Sequence, residues 1–317
     1  SEYDDEVNDG EPLTDKYLQN LTWEELFDHL APALIAYNNN QDDSHKLIKP
    51  NGKYADNWAV CGYDSDDNLF ITLAEQYGYG YTSLDEATGI GSVDFVNDGM
   101  KGLMKKFNDA YVNRYFTTKG IVGANVNYLT TSDCALLSIG STGGVGYQYS
   151  SSNPKDVGVG FVPQAEGKDK KLMNQGPSIA FMQQGATKDE IEKHAKGAWL
   201  FYKEWTEPDI ALEWALQTGY SPIRTSVFTT DEYMEYADES TKTAATADIL
   251  TARNAKYAAS AIEYLFSSPV FSGSSKARTA VAGLTADCIK GKDCANSVLT
   301  DAKCAELFNN AKNNAIL

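Results

Sequence analysis

Trp58-Ala-Val-Cys-Gly-Tyr-Asp-Ser-Asp-Asp-Asn-Leu-Phe-Ile-Thr-Leu-Ala-Glu-Gln-Tyr77 reads as strand, turn and helix in immediate succession. Trp58–Gly62 is short, apolar and followed by turn-formers, so it reads as a buried strand. Tyr63–Asn68 is the turn, and Leu69–Tyr77 is a helix leaving it. The pattern recurs: Ala135–Ile139 is a second apolar strand, ending in Gly140-Ser-Thr-Gly-Gly-Val-Gly146. Val157–Val162, closed by Pro163, and Gly176–Met182 read as two more. Between and around them lie helices. Thr22-Trp-Glu-Glu25 forms a capping box, followed by Leu26, Leu30 and Leu34 at helical spacing. Phe95–Phe116 is an amphipathic helix entered through Asp94. Lys188–Trp205 carries Ile191, Ala195, Ala198, Tyr202 and Trp205 on one face. Pro208–Thr218 starts on proline and is stopped by Gly219. Residues 231–238, 241–266, 276–290 and 296–313 complete the helical set. Short apolar strands alternating with amphipathic helices predict an α/β architecture with mostly parallel strands. Ligands in such folds bind at the carboxyl ends of strands. That rule selects Tyr63–Asn68, Gly140–Gly146 and the neighbourhood of Gly176.

Composition narrows the function. The 317 residues are 42% hydrophobic and 22% charged, the balance of a globular chain with room for two domains. Acidic side chains outnumber basic ones by 44 to 27, a formal charge of −17 that repels phosphate backbones and anionic lipid. The 19 tyrosines against 12 phenylalanines suit a wet, carbohydrate-like ligand and suit an extracellular surface equally. No run of apolar residues is long enough to span a membrane. Ser1–Pro12 holds six acids and no base, the opposite of a signal peptide's start, so the chain reads as cytosolic, already processed or shortened. Five cysteines are too few and too odd for a disulfide scaffold. Cys288-Ile-Lys-Gly-Lys-Asp-Cys294 either closes a small disulfide loop or holds two unrelated thiols.

Motifs of catalysis are largely missing. Gly140-Ser-Thr-Gly143 lacks the spacing of a nucleophile elbow, and Gly143-Gly-Val-Gly146 lacks the lysine of a P-loop. No dinucleotide fingerprint and no CxxC pair occurs, which leaves no expected cofactor or zinc site. Asp64-Ser-Asp-Asp-Asn68 lacks the glycine and distal glutamate of a calcium loop. A paired-carboxylate glycosidase stays open as the alternative of a different class, although 44 acids leave the pair unnominated.

Family resemblance enters between Asp133 and Ser226. In order come the apolar strand and its Gly/Ser turn, Val162-Pro-Gln164, Gln175-Gly-Pro-Ser178, Ala198-Trp-Leu-Phe-Tyr-Lys203, Glu204-Trp-Thr-Glu-Pro208 and Trp214-Ala-Leu-Gln-Thr-Gly-Tyr-Ser-Pro-Ile-Arg224. This series resembles the family 1 extracellular solute-binding proteins of ABC importers, in particular their sugar and glycerol-3-phosphate branch. Cys61-Gly-Tyr-Asp-Ser65, Ser268-Pro-Val-Phe271 and Ser274-Ser-Lys-Ala-Arg278 fit that branch too, so the resemblance covers roughly residues 10–300. It implies a class II periplasmic-binding-protein-like fold of two lobes that close on a solute, with no catalysis. It also implies a permease partner and a lipid-anchored place on the bacterial cell surface, or in the periplasm.

In that family the Thr22-Trp-Glu-Glu-Leu26 helix follows a whole first lobe. Here it stands near the start, which implies a member lacking most of its N-terminal lobe. Residues 1–10 are then an acidic tail, 11–165 the first part of the C-terminal lobe, 175–235 the segment returning to the N-terminal lobe, and 241–317 the helical remainder. The solute is a sugar or oligosaccharide, with glycerol-3-phosphate or a glycerophosphodiester as the alternative. By motif position the ligand-binding candidates are Ser65, Asp67, Asn68, Ser141, Gly176, Tyr220 and Arg278. Each has a structural alternative: a turn that caps the next helix for Ser65–Asn68, backbone geometry for Ser141, a hinge for Gly176 and Pro177, packing for Tyr220, and a solvated helix start for Arg278. Arg224 reads as a structural ion-pair partner, and Trp199, Trp205 and Trp214 as core.

Overall fold

The computed structural model describes residues 15–50, 52–152, 157–176, 179–242 and 247–315. The acidic stretch 1–10 and Pro177 lie outside the described residues. After a short helix, Asp15–Gln19, Thr22 caps the next as expected, its hydroxyl accepting from the Glu25 amide at 3.0 Å, while the Glu25 carboxylate accepts from the Tyr17 hydroxyl instead of completing the capping box. That helix, α1 (Trp23–Glu25), widens into a π-turn over Leu26–Leu30 before α2 (Ala31–Asn40). Pro32 explains the widening: it has no amide to donate to the carbonyl of Asp28, and its ring would clash there in a regular helix. Then follow β1 (Cys61–Tyr63), α3 (Asp66–Tyr77), β2 (Thr82–Asp85), β3 (Ile90–Val93), α4 (Asp98–Val112), β4 (Phe116–Thr118), β5 (Leu137–Ile139) and β6 (Leu172–Met173). Helices α5 (Lys188–Trp205), α6 (Pro208–Thr218), α7 (Asp231–Ala237) and α8 (Ala247–Ala261) precede β7 (Leu265–Phe266), α9 (Ser274–Lys290) and α10 (Asp301–Ala315).

The chain divides into two compact units. The first comprises Ser1–Gly140, Val159–Met173 and Tyr264–Leu317; the second comprises Ser141–Gly158 and Asn174–Glu263. Residues 141–158 and 241–263 thus belong to the second unit, whereas the sequence reading grouped them with the sheet-bearing part.

In the first unit β1 is the middle of a parallel sheet ordered β4-β1-β5, with Cys61 level with Phe116 and Leu137, and Tyr63 with Thr118 and Ile139. All three strands therefore end at one edge. Helix α4 packs on β4, α9 packs on α3 and α4, and α10 packs on α9. The core is aromatic: Trp23, Phe27, Phe107 and Phe116 meet mostly edge to face at 5.0–6.0 Å between centroids. Two buried amides stitch distant segments to this core. Gln76 accepts from the Trp23 indole at 2.8 Å and donates to the carbonyls of Pro163 and Lys171 at 3.1 and 3.2 Å. Asn108 donates to Ile289 O and Ser297 O at 2.9 and 2.7 Å and accepts from the Leu299 amide at 2.8 Å, which fixes the α9–α10 connection.

The second unit has no strand among its described residues. Its core is small, formed by Ala211, Leu212, Val227, Phe228, Tyr233, Ala255 and Ala258.

Several expectations are corrected. Val157–Val162 and the described part of Gly176–Met182 form no strand. The helix read as Phe95–Phe116 is capped by Asn97, ends at Val112 and leaves Phe116 to β4. The β2–β3 hairpin was not foreseen. Trp199, Trp205 and Trp214 are not core: 57%, 41% and 52% of their surfaces stay exposed. Cys288 and Cys294 are separate thiols. Arg224 stands 4.0 Å from Glu207 and donates to the Thr206 hydroxyl at 3.2 Å.

Asn108→Ala strands two carbonyls and one amide in the core. We expect it to lower the unfolding free energy of the first unit by about 2–4 kcal/mol in a urea titration followed by tryptophan fluorescence. A loss below about 0.5 kcal/mol, the level of an ordinary surface substitution, would contradict this account of the connection.

Candidate functional site

The carboxyl edge of the parallel sheet organises the first cluster. Beyond Tyr63 the chain must turn from β1 into α3, and polar side chains hold that turn. Asp64 accepts from the Val126 amide at 3.0 Å while its own amide donates to Ile139 O at 2.8 Å. Gly62 lies so close to Val126 that an added Cβ would stand 2.9 Å from the valine side chain. Helix α3 begins at Asp66, earlier than expected, so Asp66, Asp67 and Asn68 form its first turn. Acidic groups there complement the helix dipole. Asp66 is buried and accepts from the Thr118 hydroxyl at 2.5 Å and the Gly120 amide at 2.8 Å. Burial pushes its carboxyl above the usual range, against those two bonds.

Asp67 and Asn68 turn to a partner more than two hundred residues away. Arg278, in the second turn of α9, donates from Nε to Asp67 Oδ2 at 2.8 Å and from its terminal nitrogen to Asn68 Oδ1. Ser65 donates to the other Asp67 oxygen at 2.5 Å. Four of the candidates named from sequence are therefore one hydrogen-bonded cluster at the strand ends. Asp67 and Arg278 keep about a quarter and a third of their side-chain surface exposed, so the cluster remains open to solvent. The sequence reading missed Tyr81. Its phenol is pushed up to about 12 by burial, lowered somewhat by Arg278 and raised by Asp67, which sets it beside the pair. No spacing or motif around Tyr81 distinguishes it from the other tyrosines.

In the second unit, Ser141 and Tyr220 come together through Gly143. Ser141 leads into a 3-10 segment, Thr142–Gln148, and its carbonyl accepts from the Gly144 amide at 2.9 Å. The Tyr220 ring rests on Gly143, where an added Cβ would stand 2.7 Å from it. Gly219 makes this possible: with φ of +72° it turns the chain out of α6 and carries Tyr220 toward the glycine turn. Both Ser141 and Tyr220 are exposed. Gly176 is exposed too, with nothing within 4 Å of a built Cβ, and joins neither group.

A groove of about 760 Å³ runs between α9 and α10. Its Lys292 pairs with Asp287 at 2.9 Å and its Lys303 with Glu306 at 2.9 Å, and no candidate residue lines it. Among the described residues no group of three His, Cys, Asp or Glu side chains is placed to hold a metal, and no helix is long and apolar enough to cross a membrane.

No protein-family model matches the chain, and no curated protein matches it. Solved structures do. The cyclic α-maltosyl-1,6-maltose binding protein from Arthrobacter globiformis superposes with a TM-score of 0.55 at 15% identity, over 93% of this chain and 65% of its own. UgpB from Mycobacterium tuberculosis, solved in complex with glycerophosphocholine, gives 0.51 at 12% identity, over 81% of this chain and 58% of its own. The chain thus spans less than two thirds of either neighbour. At such identities the likeness is one of architecture: the chain shares its mixed α/β fold with these two structures.

Proposed function

We propose that the protein is the solute-binding component of an ABC importer, which captures a sugar or oligosaccharide between two lobes and delivers it to a membrane permease. It works outside the cell membrane, lipid-anchored or periplasmic. The observation that carries this reading is the cluster Ser65–Asp67–Asn68–Arg278. It offers a hydroxyl, a carboxylate, a carboxamide and a guanidinium, the donors and acceptors that sugar hydroxyls pair with. It stands at the strand ends where α/β folds bind ligands, and the fold is shared with a maltosyl-maltose binding protein. Tyr220 resting on Gly143, with Ser141 leading into the same turn, is a second candidate contact, offering an aromatic face.

Charge favours a neutral sugar over glycerol phosphate. Asp67 neutralises Arg278, so the cluster presents no spare cation to a phosphate, and the chain as a whole carries −17. The glycerophosphodiester alternative draws on UgpB, whose ligand is glycerophosphocholine.

The reading includes a missing first lobe. Its support is the neighbours' extra length and the largely exposed aromatic rows on α5, α6 and the segment before α5. Phe181, Trp199 and Tyr202 form one row, and Phe201, Trp205 and Trp214 the other. A helix apolar on two sides is built to be covered. With one lobe, the energy a ligand gains by bridging two is absent.

Saturation-transfer NMR with maltose, maltotriose, glycerol-3-phosphate and glycerophosphocholine tests the solute class. We expect transfer to a neutral sugar with a dissociation constant in the millimolar range, weakened about tenfold or more by Asp67→Ala or Arg278→Ala. Transfer to the phosphates alone, to none of the four, or unchanged in both variants would overturn the site. A micromolar constant for these 317 residues would overturn the missing lobe. Phe201→Ser with Trp214→Ser should reduce self-association in light scattering while changing the unfolding free energy by no more than about 1 kcal/mol. Unfolding of the second unit by that pair would show that these rings already form a core.

A further inference from the structure

Helices α9 and α10 fold back on each other along a buried seam. Ala277, Val281, Leu284 and Cys288 step along α9, and Cys304, Phe308, Ala311 and Ala315 step along α10, all at most 5% exposed. Cys288 lies two residues from the end of α9, and Cys304 in the first turn of α10, so the two thiols are the rung of the seam nearest the connecting loop. In the folded unit each thiol perturbs the other's titration, which places them close together, and the Cys304 thiol also donates to the Lys101 carbonyl at 3.9 Å. The loop itself is pinned by Asn108, which holds Ile289, Ser297 and Leu299 and so fixes how the two helices approach. Cys294, the partner that spacing alone suggests for Cys288, sits in that loop and is partly exposed.

We propose that Cys288 and Cys304 are a disulfide site: in an oxidising compartment they join and staple α9 to α10. The inference concerns the fold and stands whether or not the chain binds a sugar. The reaction is exchange with an external disulfide, either low-molecular-weight or on a protein. One cysteine thiolate attacks a sulfur of that disulfide, forms a mixed disulfide and expels a thiolate. The second cysteine, once deprotonated, attacks the bonded cysteine sulfur and expels the other thiolate. Two cysteine thiols lose two protons and two electrons, and the external disulfide is reduced to two thiols. Either cysteine serves as the first nucleophile, because the exchange precedes the packing that distinguishes the two. Both sulfurs are buried in the folded unit, so the exchange belongs to folding, before α10 has closed on α9. The product closes a short loop of the unfolded chain, which is how such a bond stabilises.

Trypsin separates the three cysteines, because cleavage after Arg278, Lys290, Lys292, Lys303 and Lys312 puts each on its own peptide. The whole chain is refolded in a reduced and oxidised glutathione couple, alkylated with iodoacetamide and digested without reductant. We expect Thr279–Lys290 linked to Cys304–Lys312, and Asp293–Lys303 carrying an alkylated Cys294. A Cys288–Cys294 link, or alkylation of all three, overturns the proposal. The Cys294→Ser protein should keep the link. Dithiothreitol should lower the melting temperature of the wild-type protein by several degrees and leave that of Cys304→Ser unmoved. An equal response from both would show that the bond, if formed, does not staple the helices.

Discussion

The pairing of Arg278 with Asp67 and Asn68 is the constraint on which the account rests. It ties the first turn of α3 to the second turn of α9, two helices that pack on each other. The pair is only partly buried, and a carboxylate at a helix start is welcome to the dipole, so each group answers the other's charge while the cluster stays open to solvent. Because both helices start near the strands' carboxyl edge, the polar groups left over from this pairing collect there. Ser65 extends the network on one side, and Asp66, held by Thr118 and Gly120, anchors it to the neighbouring strand.

Much of the first unit was legible in the sequence because its signals are local. Thr22 caps its helix, and Cys61–Tyr63 and Leu137–Ile139 are strands where apolar runs precede turn-formers. The convergence of Ser65, Asp67, Asn68 and Arg278 was reached only through family resemblance, since residues that far apart share no periodicity. Tyr81 escaped for the same reason. What failed was also physical. Val157–Val162 has strand-like composition but is not a strand in the structure. In Phe95–Phe116, Asn97 offers a better cap than Asp94, its side chain accepting from the Met100 amide at 2.9 Å.

The tryptophans of α5 and α6 show the limit of helical periodicity. Spacing says that a face is apolar; it does not say that anything covers it. In the sheet-bearing unit the same signal led to burial, because a sheet supplied the opposing layer. In the second unit no strand is described, and the rings pack on one another at 5.5–6.5 Å while staying largely exposed.

Hydrogen exchange read by mass spectrometry, with and without maltotriose at saturating concentration, tests the central claim most directly. The account predicts slower exchange for amides at the start of α3, residues 66–70, and in the first two turns of α9, residues 274–280. Protection confined to the α9–α10 groove or to α5, with those two helix starts unchanged, would contradict it.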